Sequence, residues 1–369
     1  MANVAVPSAG VVAKKKKMDS SFFKKGIFTA FISGVAYGLY TAFMTLGMAK
    51  GVWADYFYAS PAKSTSGIAL SAFVVTYLLG SLGSALNDTC SGIWCVIIAL
   101  VKGKFGDYVK TLNSRAGRIL ILCAIIGGPI ASSAYVIGLQ MAGSIAVPIS
   151  ALCPAVGAIL GRIFYKQELN LRMIFGILIC VVATFMIGST TLGDTNKNAF
   201  WGIVIAFISA VGWGFEGCVG GYATCMVDFE ISITIRQVTS GISNLIILLP
   251  LWSLLAGENI TLGWRLAGEA ISNWTIIFFI VSGFFAQYSY ARWYKGNSMC
   301  GAALGMALNG MFSFWGPFCC WIIIGLIAGI DGYALAPIQW AAAIVMIIGI
   351  FFIAMNPLDL FRKKNTEEA

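Results

Sequence analysis

Long apolar runs separated by short polar clusters make up most of the chain. They read as ten membrane-crossing helices: Gly26–Met48, Leu82–Val101, Ile119–Leu139, Ile145–Tyr165, Leu171–Gly188, Ala199–Met226, Ile231–Leu255, Trp274–Tyr294, Met299–Ile330 and Ala334–Met355. A helix needs about 20 apolar residues to cross a bilayer, which most of these runs supply. Met299–Ile330 is longer than a span requires. The region from Ile68 to Val101 is 34 nearly continuous residues interrupted by Asn87-Asp88-Thr89. It reads as one long helix, a helix with an extra segment, or two spans.

The basic residues decide between these readings. With a single crossing there, both termini are cytoplasmic, and 20 of the 24 Lys and Arg residues fall on the cytoplasmic side. Only Lys50, Lys63, Lys197 and Arg265 fall outside. Two crossings would reverse every later loop, against the tendency of cytoplasmic loops to collect positive charge. The tail 1–25, with Lys14 to Lys17, Lys24 and Lys25, then stays in the cytoplasm, as does 356–369. The run after that basic tail has 23 residues, too long for a cleaved signal.

Composition agrees with a lipid solvent. The chain of 369 residues is 59% apolar and 11% charged, where a soluble protein carries about 25% charged residues. Its net charge of +9 sits at segment ends, where it orients the chain and meets anionic headgroups, so no nucleic acid is expected. There is no histidine, and none of the ten cysteines forms C-x-x-C, which excludes histidine-ligated metal and haem chemistry and leaves no metal site or cofactor expected.

The chain also repeats itself. Ser33-Gly34-Val35-Ala36-Tyr37-Gly38-Leu39-Tyr40 recurs 176 residues later as Ser209-Ala210-Val211-Gly212-Trp213-Gly214-Phe215-Glu216. Ser91-Gly92-Ile93 matches Ser240-Gly241-Ile242 at an offset of 149, and Gly128, Ser132 and Tyr135 match Gly283, Gln287 and Tyr290 at 155. Pro154 falls opposite Asn309 at that same offset. The expected halves are 26–188, with an insert at about 50–81, and 199–355. Five spans is an odd number, so the halves enter the membrane in opposite senses, as in many secondary transporters.

The stretch Tyr135-Val136-Ile137-Gly138-Leu139, Ser150-Ala151-Leu152-Cys153-Pro154, Lys166-Gln167-Glu168-Leu169 and Ile174-Phe175-Gly176-Ile177 resembles an EamA repeat of the drug/metabolite transporter superfamily. The resemblance is weaker in the second half, where Asn309 replaces the proline. It implies two inverted five-helix repeats, a central cavity at their interface and metabolite transport. In the related small multidrug transporters an acid in the first helix of the repeat binds both protons and cationic substrate, and Glu216 resembles that position.

Helical spacing of three and four gathers the polar positions into stripes. Ser33, Tyr37 and Tyr40 form one, and Ser209, Trp213, Glu216 and Gly220 its counterpart. Gly128, Ser132 and Tyr135 form a third, and Gly283, Gln287, Tyr290 and Tyr294 a fourth. Polar groups facing lipid are costly, so these stripes should turn inward. Any one hydroxyl can be mere interhelical glue. Four matched stripes favour a cavity lined by Tyr37, Tyr40, Ser132, Tyr135, Trp213, Glu216, Gln287, Tyr290 and Asn309. Glu216 and Asp88 are the candidate proton-coupling acids, and Arg236 is the candidate charge partner. Removing the Glu216 charge is expected to cost the fold little.

The expectation is therefore an all-α, ten-helix, multi-pass protein of the cell (inner) membrane. It would be a proton-coupled secondary transporter of an amine, quaternary ammonium or zwitterion, and not an enzyme. A membrane-embedded enzyme or a channel is the alternative. Small-molecule substrate, protons and membrane lipid are the expected partners, with a homodimer left open.

Overall fold

The computed structural model describes residues 9–58, 70–166, 171–189, 197–220, 226–300 and 302–354, which contain helices and no strand. The helices that overlap the apolar runs are numbered in chain order. They are α1 (Ser21–Met48), α2 (Val74–Val101), α3 (Arg115–Ala142), α4 (Ala146–Phe164), α5 (Leu171–Ser189), α6 (Asn198–Gly220), α7 (Phe229–Leu255), α8 (Ile276–Cys300), α9 (Gly305–Ile327) and α10 (Pro337–Ala354). Seven of them, α1 to α4, α6, α7 and α9, are long and apolar enough to cross a membrane. The helix Leu262–Ser272 and α8 together would make an eighth, bent by 96° between them, and α5 and α10 hold shorter apolar stretches. Leu178 and Val182 on α5 and Ile242 and Ile246 on α7 are exposed, as suits a lipid-facing surface.

One boundary that the sequence leaves open is resolved, and two others differ from the expectation. Residues from Val74 to Val101 form one continuous helix, so Asn87-Asp88-Thr89 interrupts the apolar run without breaking the backbone. The eighth segment runs on to Cys300, because Gly296 lets it follow α1 closely at Ala30 and its charged end stays in contact with aromatic rings. Met299 therefore belongs to α8 and not to the ninth run. Within the ninth run, α9 is interrupted by a turn at Gly310-Met311, between Ala302–Asn309 and Phe312–Cys320. Much of the insert, with Pro61 and Lys63, lies outside the described residues. Its start is anchored, since Trp53 donates to the Leu79 carbonyl (3.0 Å) and stacks on Phe279.

The two halves interlock. α1 packs on α8 and α9, and α6 packs on α3 and α4. α2 packs on α7 and α8, α7 packs on α3, and α5 packs on α10. This set of pairs maps onto itself when each helix is exchanged for the one five places on. The glycine contacts do the same. Gly92 lies against the backbone of Gln237, and its counterpart Gly241 against that of Asp88. Gly128 lies against Ser240, and its counterpart Gly283 against Cys90 and Ser91.

The two ends of the bundle are built differently. α1 runs antiparallel to α8, so Gly26 meets Met299 at one end while Gly47 meets the Phe279 ring at the other. At the Gly26 end, Lys102 pairs with Glu230, and Lys104 pairs with Asp228 (3.1 Å) and Glu230 (2.7 Å). Asp228 also caps α7 by accepting from the Glu230 backbone N–H (2.9 Å). Lys104 and Lys295 both lie over the Phe229 ring. At the Gly47 end a cavity of about 520 Å³ opens between Thr45, Met48, Trp53, Leu139, Gln140 and Tyr333.

Candidate functional site

Between those two ends lies a layer of buried polar and aromatic side chains. Its centre is Arg236 on α7, fully buried. Arg236 Nε donates to Glu216 Oε1 (3.0 Å) and Nη2 to Oε2 (3.3 Å), while Tyr294 donates to Oε1 (2.8 Å). Nη2 also reaches the Gly127 carbonyl (3.1 Å) and Ser132 Oγ (3.4 Å), and Nη1 donates to Gln237. The guanidinium lies 4.2 Å from the Tyr290 ring centroid, in cation–π contact. A guanidinium has five N–H donors in a fixed fork, and here every nitrogen is engaged.

The backbone makes room for this pair. Helix α3 opens into a wide π turn over Ile126–Ser132 around Pro129, α6 does so over Glu216–Gly220, and α7 over Asn244–Leu248. Such turns are rare and re-aim side chains locally. The Gly127 carbonyl accepts from Arg236, from Trp213 Nε1 (3.0 Å) and from Ser132 Oγ (2.8 Å). A side chain at 127 would collide with the Glu216 carboxylate, so only glycine fits there.

Asp88 on α2 is buried with neutral donors around it. It accepts from Ser240, from Asn244 (3.2 Å) and from Asn87 (3.4 Å). Gln237, its counterpart at the 149-residue offset, donates to Ser91. Ser282 on α8 donates to Asn87 Oδ1 (2.6 Å) and also lies 3.0 Å from the Tyr40 carbonyl, which ties this group to α1.

On the cavity side an aromatic cluster closes over the charged groups. Tyr37 stacks on Phe312 at 4.2 Å and meets Tyr40 edge-on at 4.7 Å. Tyr135, Trp213 and Tyr290 stand 6.0 to 6.3 Å from it. All of these rings are buried, and the Tyr37 hydroxyl has no hydrogen-bond partner. Tyr135 shares a hydrogen bond with Thr41 (2.8 Å), whose carbonyl accepts from the cavity-lining Thr45 (2.8 Å).

Of the residues singled out from sequence, Tyr37, Tyr40, Ser132, Tyr135, Trp213, Glu216, Arg236 and Tyr290 meet in this layer. Asn309 instead ties α9 to α1 by donating to Ser33 (2.9 Å), and Gln287 is buried without joining these hydrogen bonds. The expectation that Glu216 is a charge the fold can lose cheaply is overturned, because its loss would strand a fully buried guanidinium. Gly127, Asn244 and Phe312 were not singled out. Asn244 extends the helical stripe of Gln237 and Ser240, which is a signal the sequence carries. Gly127 acts through its carbonyl and left no signal.

The model of the EamA-like transporter family matches residues 84–189, in line with the resemblance read from the residues within that stretch. Protein LicB of Haemophilus influenzae is 24% identical over 196 residues, 53% of this chain. The match spans 63% of that relative, less than two thirds of its length. A solved structure, described only as the crystal structure of a protein, superposes with a TM-score of 0.51 at 17% identity, over 90% of this chain and 96% of the other. The helical arrangement is thus shared with that chain.

Proposed function

We propose that the protein is a secondary-active transporter of a small organic cation in the cell membrane, working by alternating access and driven by protons. The observation that carries the reading is the order of layers along the bundle. An open cavity, a closed aromatic cluster, a buried charged layer and a seal of ion pairs follow one another. A channel would need a continuous polar path, and the aromatic cluster interrupts one. The distribution of basic residues supports a cytoplasmic ion-pair seal, and with it an outward-open reading of this conformation. The ten-span topology and the two inverted repeats are supported by helix pairs and glycine contacts that exchange into one another across the chain.

The substrate class follows from the aromatic cluster. Tyr40, Tyr135 and Trp213 offer ring faces, which attract an amine or a quaternary ammonium, while Arg236 already lies over Tyr290 and Tyr37 and Phe312 stack on each other. A zwitterion would need a cationic partner for its carboxylate, and the Arg236 charge is already neutralised by Glu216. Asp88 and Glu216 are the two buried acids among the described residues, and the coupling proton is assigned to this pair. Purified protein should be stabilised against heat by tetramethylammonium, because a ligand that binds only the folded state raises its melting temperature. It should not be stabilised by the neutral analogue neopentane or by betaine. Equal stabilisation by betaine would remove the cation from the reading.

A further inference from the structure

Among the described residues three charged side chains are buried, namely Asp88, Glu216 and Arg236. Arg236 is committed to Glu216 through two nitrogens. Asp88 has only neutral hydrogen-bond donors. The titratable groups that face it are Arg236 on α7, Glu216 on α6, Tyr40 on α1 and Tyr290 on α8. With all three side chains ionised the layer would hold one negative charge in excess. An uncompensated buried charge is strongly unfavourable, so one positive charge must always be present.

We propose that this charge is carried alternately by a proton on Asp88 and by the organic cation in the aromatic cluster, so that the protein exchanges one for the other, one to one. The inference rests on the transport reading above and assigns the coupling proton to Asp88, leaving Glu216 as the fixed partner of Arg236. In the exchange the Asp88 carboxyl O–H bond breaks, its electron pair stays on the carboxylate, and the proton leaves to water as the cation arrives. The reverse occurs on the other side of the membrane. No net charge moves.

A second observation marks the route. Ser81, Ser84, Asp88 and Ser91 recur at spacings of three, four and three, on one face of α2. The hydroxyls of Ser81 and Ser84 are buried without hydrogen-bond partners. Gly83, between them, packs against Met48, which lines the open cavity. Two unengaged hydroxyls therefore lie on the Asp88 face of the helix, toward its cavity end, where they can pass a proton to and from the carboxyl group.

The test is calorimetric titration of the purified full-length protein with tetramethylammonium in buffers of different ionisation enthalpy, which counts protons released per cation bound. We expect about one proton per cation at pH values where Asp88 starts protonated, and an affinity that rises roughly tenfold per pH unit there. Asp88→Asn should abolish both the release and the slope. The wild type should show an infrared band of a protonated carboxyl that the cation removes, and Asp88→Asn should lack it. Cation binding without proton release, or a slope retained in folded Asp88→Asn, would overturn the proposal. If Asp88→Asn does not fold, Asp88→Glu replaces it: a slope with a displaced midpoint supports the assignment, and an unchanged midpoint overturns it. A wild type that binds no cation counts against the transport reading instead. The pH titration of the infrared band in the unliganded protein, compared with the variant, still decides whether Asp88 holds the proton.

Discussion

At the residue scale, the central fact is that Glu216 and Arg236 are useful to each other and hazardous alone. Breaking a buried pair from one side costs about 3–5 kcal/mol, whereas replacing both partners together is often far cheaper. Glu216→Gln should therefore lower the unfolding free energy measured in detergent by that order, and Glu216→Gln with Arg236→Gln by less than the sum of the single changes. Additive losses would mean that the two side chains do not pair. Tyr37 gives the opposite case. Its hydroxyl is buried without a partner, a condition that costs about 1–3 kcal/mol. Tyr37→Phe keeps the stack on Phe312 and should leave the melting temperature unchanged or higher. A clear loss of stability would show that the hydroxyl has a partner after all. The stripes of polar positions made most of this site legible in sequence, since side chains three and four apart share a helix face. What was not legible acts through the backbone, as the Gly127 carbonyl does, or through a ring, Phe312, that looks like any other core aromatic.

At the element scale, glycines set how closely the helices approach. A Cβ on Gly283 would lie 2.7 Å from Cys90 Cβ and from the Ser91 backbone nitrogen, so it has no flexible neighbour to displace. Gly283→Ala should force α8 from α2 and lower the melting temperature, while Gly268→Ala, which meets open space, should not. Equal effects would contradict the packing. The ion-pair seal behaves differently. Its pairs are partly exposed, are worth at most about 1 kcal/mol each, and are screened by salt. The hydrogen bond to Glu230 holds the Lys104 ammonium charged above the usual lysine range. A base whose affinity for its proton is raised on folding contributes fully below its unfolded pKa and loses that contribution as pH rises through the folded one. The seal should thus be indifferent to pH through neutrality and weaken at the extremes, in strong alkali as Lys104 loses its proton and in acid as the Glu230 carboxylate gains one. High salt, or Lys104→Gln, should raise the labelling of a cysteine placed at Ser91 by a water-soluble maleimide from the cytoplasmic side. No change would show that the ion pairs do not hold that end shut. Helix existence was legible here, because apolar length alone predicts it. Helix boundaries were less so, since the turn at Gly310-Met311 and the extension of α8 to Cys300 depend on what each helix packs against.

At the scale of the whole molecule, the interlocking of the helices explains why the site cannot be assigned to either half of the chain. α1 lies on α8 and α6 on α3, so each half completes the other. Lys104 and Lys295 share the Phe229 ring and hence one end of the bundle. Cysteines at these two positions should label only from the cytoplasm in intact and permeabilised cells, and one at Asp331 only from outside. Labelling of position 295 from outside would contradict the ten-span topology. Coupled transport is the property that joins these layers into one function. Its most direct measurement is uptake of labelled tetramethylammonium into proteoliposomes with the membrane potential clamped and a pH gradient imposed. The wild type should accumulate the cation against its own gradient in exchange for protons, and Asp88→Asn should lose the response to pH. A wild type that moves no cation, or that equilibrates it without regard to the pH gradient, would contradict the account.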